Sequence, residues 1–421
     1  MIREILKRPF VRPLLIWITG VVCQTYASLR LLSFALLLTP VLFLFTPSRL
    51  FGRQAADLAY HARWVWGAVF GCLLLFLSMQ LTAYHESRPA TPPSPLQEWA
   101  RHVRQRMLEP FDSLQLTEAE RAVLCTITLG DRSRMSKETR QQFSVAGVAH
   151  ILSVSGFHVA IVCAFLLRIF SFLSNKNPGR WVRYLLTLLL LWTFTTLSGL
   201  GAASVRAALM LSFYLTAKQI GRLTDGYNIL AASAFCMLVY EPFYLYELGF
   251  QLTYLALASI LYLQPRLNGL LELRNPVLKA PWEWLCLSLA AQTGVSFLCL
   301  YYFGQFSTVF LFTNLPLTLI ATLLIPAALL LMLLPAGLPG SAVLQGAVEA
   351  LTHSLMWVVE AFSRLPGSAL SFRFDLVSMA LAYGALCFLF LYGSKRYTPC
   401  LLLVSLSLFL LIIARKILLT C

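Results

Sequence analysis

The run His150 to Val159, HILSVSGFHV, sets two histidines and two serines around a glycine in otherwise apolar sequence. An imidazole titrates near neutral pH and can carry a proton. Ser155 and His158 stand one helical turn apart, the spacing at which a nucleophile could meet a base. Three features oppose catalysis. No carboxylate is at hand to orient the histidine, Gly156 disturbs helical geometry, and an intramembrane serine hydrolase ordinarily draws its base from another helix. The competing reading starts from solvation. Polar groups in hydrocarbon persist only where neighbouring helices or a hydrated cavity receive them. His150, Ser153, Ser155, Gly156 and His158 are therefore assigned to a shaped, hydrated constriction with no catalytic role.

Other polar side chains interrupt apolar sequence further along. Arg206 lies in GLGAASVRAALM, whose small residues permit close helix packing. A guanidinium at that depth either faces a partner or snorkels to the interface. Glu247 and Gln251, four apart, fall on one helix face, and Gln292 and Asn314 each stand alone. Isolated amides commonly hydrogen-bond between helices. Glu349, His353 and Glu360 share a face at spacings of four and seven, as a cavity lining or a solvated side would. No H-x-H-x-D-H, H-E-x-x-H or phosphate-binding loop occurs, so neither a catalytic metal nor another cofactor is expected.

The elements that position these groups follow from composition. The chain is 58% hydrophobic and 12% charged, with mean hydropathy +0.73, against about 25% charged residues in ordinary soluble domains. This predicts an all-α polytopic membrane protein with about 12–13 membrane segments, some broken or re-entrant. The net charge of +15 fits lysine and arginine at cytoplasmic helix ends better than it argues for nucleic acid. Ten cysteines, lacking any C-x-x-C pair, read as small apolar residues. The basic start and apolar run lack a small-residue cleavage site and read as a retained signal anchor.

Pro13–Leu29 and Leu31–Phe45 read as a helical hairpin, and Trp64–Ala83 as a third span. Residues 84–142 are polar: a proline-rich linker, ESRPATPPSP, precedes an amphipathic helix over Leu96–Leu108. In that helix Leu96, Trp99, Val103 and Met107 oppose Arg101, Arg104 and Arg106. Thr117 and Glu120 form a T-x-x-E cap for a helix that Gly130-Asp131 ends. The run Phe143–Ser174 is about 32 residues, roughly 48 Å if helical against a hydrocarbon core of about 30 Å, which places a break at Ser155-Gly156.

Further spans are expected over Tyr184–Leu197, Ala203–Ala217, Tyr227–Tyr240, Gly249–Leu263, Trp284–Phe303, Val309–Leu334, Ala342–Phe362, Leu376–Tyr392 and Pro399–Ala414. Pro316, Pro326 and Pro335 predict that Val309–Leu334 is broken or re-entrant. With the N-terminus inside, eighteen Lys and Arg fall in inside loops and five in the short outside segments, Arg30, Arg364, Arg373, Arg415 and Lys416, which puts residues 84–142 outside the cytoplasm.

The signals fall in a recognisable order: LGDRSRMSKETRQQFSVAGVAHILSVSGFHVAIV, GLGAASVRAALM, DGYNILAASAFCMLVYEPFYLYELGFQLTYLALASI and QTGVSFLCLYYFGQFSTVFLFTNLPL. This order resembles the ComEC family of bacterial competence proteins, with H-x-L-x-V-S-G-x-H-V intact from His150 to Val159, and the resemblance covers about Leu129 to Asn314. It implies an inner-membrane channel passing single-stranded DNA into the cytoplasm during transformation. It also implies the lipid bilayer and separate DNA-receptor, nuclease and helicase proteins as partners, and a homo-oligomer as an option. Arg206, the His/Ser cluster, Gln251, Tyr301 and Tyr302 are the candidates to meet phosphates and bases. Two departures matter: residues 84–130 are too short for the family's OB-like domain, and no metallo-β-lactamase-like domain is evident. A transporter of another solute or lipid on the same fold is the alternative, with a Ser155 hydrolase behind it. The expected division is 1–83 N-terminal helices, 84–142 extracytoplasmic linker, 143–334 channel core and 335–421 C-terminal helices.

Overall fold

Hydrocarbon offers backbone N–H and C=O groups no water, which leaves the helix as the local solution for a chain this apolar. The computed structural model describes residues 8–27, 63–88, 94–173, 177–222, 224–273, 275–334, 340–394, 402–408 and 410–411. Leu31–Phe45, most of Ser48–Arg63, the centre of the proline-rich linker, Pro335 and the ends of Pro399–Ala414 lie outside them.

In chain order the helices are α1 (Val11–Ala27), α2 (Arg63–Ser87), α3 (Pro95–Leu108), α4 (Glu118–Leu129), α5 (Lys137–Val145), α6 (Gly156–Ile169), α7 (Asn177–Leu197), α8 (Ala202–Gln219), α9 (Gly226–Tyr240), α10 (Leu248–Asn268), α11 (Pro276–Tyr302), α12 (Phe310–Leu333), α13 (Ser341–Ser363) and α14 (Leu376–Ser394). Two short strands, β1 (Gln305–Ser307) and β2 (Ala369–Ser371), pair antiparallel with Phe306 opposite Leu370. The chain is an all-α, multi-pass membrane protein. Among the described residues, Gly67–Ser87, Pro276–Tyr302, Phe310–Leu333 and Ser341–Ser363 are long and apolar enough to cross a bilayer, and Gly156–Phe172, Gly226–Tyr240 and Leu376–Phe390 are shorter apolar helices.

The local signals act as expected at α3 and α4. Ser94 and Gln97 close a reciprocal cap at the start of α3, and the apolar Leu96 and Trp99 stay exposed on its surface. At α4 the Thr117 N–H donates to Glu120 Oε2 at 2.9 Å, and the Glu120 N–H returns to Thr117 Oγ1 at 3.4 Å.

The expectation that Val309–Leu334 is broken fails. α12 runs unbroken through Pro316 and Pro326. In hydrocarbon a full break would strand more backbone groups than one proline does. The hydroxyls of Thr313, Thr318 and Thr322 each bond the carbonyl four residues back.

The chain divides into two compact units that interleave in sequence. The first holds residues 1–113, 127–131 and 154–254. Within it α2 and α9 pack on α1: Trp17 Nε1 donates to the Leu238 carbonyl at 3.2 Å, and Ser78 Oγ to the Trp17 carbonyl at 2.7 Å. Arg8 pairs with Asp225 at 3.1 Å and His85 with Glu241 at 3.2 Å. α8 contacts α6, α7 and α9, so it is the central helix of this unit.

The second unit holds residues 114–126, 132–153 and 255–421. There α12 packs between α11 and α13, and α14 packs on α11. A side chain at Gly294 of α11 would place its Cβ 2.6 Å from the Ser259 Cβ and 2.8 Å from the Leu255 carbonyl oxygen. Only glycine permits that approach, and Ser259 Oγ reaches the Ala290 carbonyl at 2.6 Å.

Candidate functional site

The approach to the central stretch is fixed by glycine. α5 ends at Gly147, which has φ +77°, with Val148 N–H bonded to Phe143 O at 2.9 Å and Gly147 N–H to Ser144 O at 3.0 Å. This is a Schellman closure. A Cβ at Gly147 would lie 2.7 Å from Ser307 and 2.8 Å from Phe310. Ala149–Leu152 then form one 3-10 turn. Arg132 Nε donates to the Leu152 carbonyl at 3.1 Å, and Ser153 Oγ to the His150 carbonyl at 3.1 Å. His150 is exposed.

Helix resumes at Gly156, with Ser155 as its extended N-cap. The break therefore falls at Ser155-Gly156. The Ser155 N–H lies 3.3 Å from His158 Nδ1, and Ser155 Oγ 2.8 Å from the same nitrogen. A backbone N–H can only donate, so Nδ1 is the acceptor, the hydroxyl donates to it, and the imidazole proton sits on Nε2. His158 thus takes the place that Glu or Gln fills in a capping box. Its side chain is fully buried.

α6 is seated on α8. Ser204 Oγ donates to the Val154 carbonyl at 3.1 Å, and a Cβ at Gly156 would meet the Ala207 Cβ at 3.6 Å, an ordinary contact. The neighbouring Arg206 is 2% exposed. Its Nη2 donates to the Gly249 carbonyl at 2.9 Å and to Thr253 Oγ1 at 3.0 Å. Thr253 Oγ1 itself donates a hydrogen bond to Gly249 O at 2.7 Å. Arg206 therefore turns into the protein and joins α8 to α10, which rules out snorkelling. Its Nε and Nη1 are buried with no hydrogen-bond partner among the described residues. Arg206 lies in the first turns of α8 and reaches the first turn of α10, and each of these N-terminal ends carries a partial positive charge. Glu247 sits exposed one residue ahead of α10, close enough to act on Arg206 through space. Gln251 turns back to cap the preceding 3-10 turn, its Nε2 donating to the Leu245 carbonyl at 3.0 Å.

The first unit thus brings together Ser155, Gly156, His158 and Arg206, with Glu247 and Gln251 at the head of α10. His150, Ser153, Gln292 and Asn314 belong to the second unit. Asn314 Nδ2 donates to Ser288 Oγ at 2.9 Å, a link between α12 and α11, and Gln292 lies one turn beyond Ser288. Tyr301 and Tyr302 meet edge to face at 4.9 Å. The face of α13 is shared out among partners. Glu349 accepts the Gln115 N–H at 2.7 Å, His353 Nδ1 lies 2.6 Å from Glu120 Oε1, and Glu360 pairs with Arg364. Burial alone would raise the Glu120 carboxyl, but the Thr117 N–H and hydroxyl and His353 together hold it below the usual range. The roles of Ser204, Thr253 and Arg132 and the Glu120–His353 pair were missed. The T-x-x-E box marked Glu120 only as a cap, and nothing local could join it to His353. Among the described residues no three His, Cys, Asp or Glu side chains cluster as metal ligands.

Residues 127–396 match the family described as Competence protein. The chain is 29% identical over 202 residues to "ComE operon protein 3" of Bacillus subtilis (strain 168), an alignment covering 48% of this chain and 24% of that protein. It is 22% identical over 145 residues to "Uncharacterized protein YcaI" of Escherichia coli (strain K12), covering 34% of this chain and 19% of that protein. The chain therefore spans a quarter or less of the length of these curated relatives. No solved structure matches it.

Proposed function

Because the chain belongs to the competence protein family, we propose that it forms part of the inner-membrane path by which single-stranded DNA enters the cytoplasm during transformation. The observation that carries this reading is Arg206. A guanidinium buried where the N-termini of α8 and α10 come together creates a positive focus inside an apolar protein, and a polyanion crossing a membrane needs such a feature. Ser155 and His158, at the start of α6, supply a polar, kinked entry to that helix, and Gln251, Tyr301 and Tyr302 are candidates for contacts to bases. In this reading residues 143–334 are the channel core, flanked by helices in 1–83 and 335–421. Residues 84–142 lie outside the cytoplasm, and the N-terminus lies within it. The chain acts as a conduit with no catalytic step of its own. Separate proteins supply strand capture, nuclease and helicase, and copies of the chain can assemble with one another.

The Ser155–His158 contact at 2.8 Å is the observation that favours an intramembrane hydrolase. Against it, the imidazole nitrogen that would accept the serine proton also receives the Ser155 N–H, so the contact already serves as a helix cap. Deleting the gene and following labelled DNA into the nuclease-protected cytoplasmic pool tests the channel reading. Undiminished entry in the deletion strain would overturn it.

A further inference from the structure

Where α10 ends and α11 begins, the second unit forms an open pocket of about 370 Å³ lined by Asn268, Glu272, Lys279, Trp282 and Glu283, with Leu271 and Leu273 beside them. That volume lies at the small end of ligand sites, which run roughly 300–1,000 Å³. Two lining residues carry buried polar atoms with no hydrogen-bond partner among the described residues: Trp282 Nε1, a donor, and Asn268 Oδ1, an acceptor. Charges of both signs stand with them. Lys279 and Glu283 face each other at 3.7 Å, and Glu272 is exposed. Around this polar centre Leu270, Leu271, Val277 and Leu278 are all exposed, Val277 to 74%. The cavity opens at the head of α11, a helix long and apolar enough to cross a bilayer. The junction thus joins a polar pocket to an apolar rim at the end of a membrane helix, where tryptophan and lysine commonly meet headgroups.

We propose that this cavity binds the headgroup of a phospholipid bearing a primary ammonium, of the phosphoethanolamine class. The Trp282 N–H and the Lys279 ammonium meet the phosphate. Asn268 Oδ1 and the carboxylates of Glu272 and Glu283 accept the three N–H bonds of the lipid ammonium. The acyl chains lie along the exposed leucine and valine side chains. A quaternary choline headgroup has no N–H to give and leaves Asn268 Oδ1 without a partner, while an anionic glycerol headgroup sets no cation against the two carboxylates. The site is therefore selective, and it is independent of what crosses the membrane elsewhere in the protein.

The full-length protein, purified in detergent and offered equimolar phosphatidylethanolamine, phosphatidylcholine and phosphatidylglycerol, is examined by native mass spectrometry. One phosphatidylethanolamine should be retained about tenfold over either competitor, the discrimination expected from one or two lost charge-assisted hydrogen bonds. The preference should shrink toward unity in Glu272→Gln/Glu283→Gln and in Trp282→Phe, which keep side-chain bulk. Equal retention of the three lipids by the unaltered protein overturns the proposal with no variant needed. An undiminished preference in both variants moves the lipid elsewhere and overturns it as well.

Discussion

Replacing Arg206 separates charge from packing, because the structure gives both sides of its energetics. Nη2 makes two charge-assisted bonds, to Gly249 O and Thr253 Oγ1, each contributing about 1.5–3 kcal/mol. Nε and Nη1 are buried without partners among the described residues, each opposing stability by about 1–3 kcal/mol. The two contributions cancel to within a few kcal/mol. Arg206→Leu should therefore unfold in detergent within about 2 kcal/mol of the unaltered protein, yet abolish entry of labelled DNA at matched membrane abundance. Arg206→Lys, which keeps the charge, should retain part of that entry. The reasoning fails if leucine and lysine give equal uptake. It also fails if Arg206→Leu loses well over 3 kcal/mol of stability, which would make Arg206 a brace between α8 and α10 and nothing more.

Gly156→Ala should be tolerated, since its Cβ would meet Ala207 at 3.6 Å, while Gly156→Leu should stop DNA entry and Ser155→Ala leave it largely intact. A dead Ser155→Ala beside an active Gly156→Leu would reverse that ranking and favour a hydrolase. The Glu120 carboxyl, held below its ordinary value of 4.5, adds stability that is fully present above that value and lost as pH falls through its lower folded value. Thermal unfolding of Glu120→Gln should accordingly be less sensitive to acid than that of the unaltered chain, and parallel curves would refute the assignment. Gly294→Ala must part α10 from α11, because its Cβ would sit 2.6 Å from Ser259. A loss of about 1–3 kcal/mol is expected, and an unchanged melting temperature would contradict the close approach. In a background lacking the native cysteines, a cysteine at Glu138 should react with an impermeant maleimide from the periplasmic side and one at Arg222 only from the cytoplasm. The opposite pattern would invert the proposed orientation.

The helical class, the break before Gly156 and the two-sided cap at Thr117 and Glu120 were legible because each depends on residues a few positions apart. The helices outrun the apolar windows that announced them. Tyr184–Leu197 extends to Asn177–Leu197, and Trp284–Phe303 begins at Pro276, since polar residues at a membrane boundary continue a helix without adding to its hydropathy. Pro316 and Pro326 misled for the converse reason: the rule that proline ends helices is a rule of water, where freed backbone finds solvent. The partners of Arg206 and His353 lay 43 to 47 and 233 residues away, and no pattern along the chain encodes such pairings. The two strands were equally hidden, being three residues each.

That small ribbon bears on how the chain is counted across the bilayer. Gln305, Phe306 and Ser307 lie directly opposite Ser371, Leu370 and Ala369, and backbone partners cannot face each other through a hydrocarbon core of about 30 Å. The segments containing β1 and β2 therefore share one compartment, and the number of crossings between them is even. α12 and α13 lie between, so they traverse as an outward and return pair or neither traverses. Topology maps of this region consequently carry one binary unknown where two independent helices would give two. Reporters placed at Gly304 and at Gly367 should read the same side in every orientation of the protein.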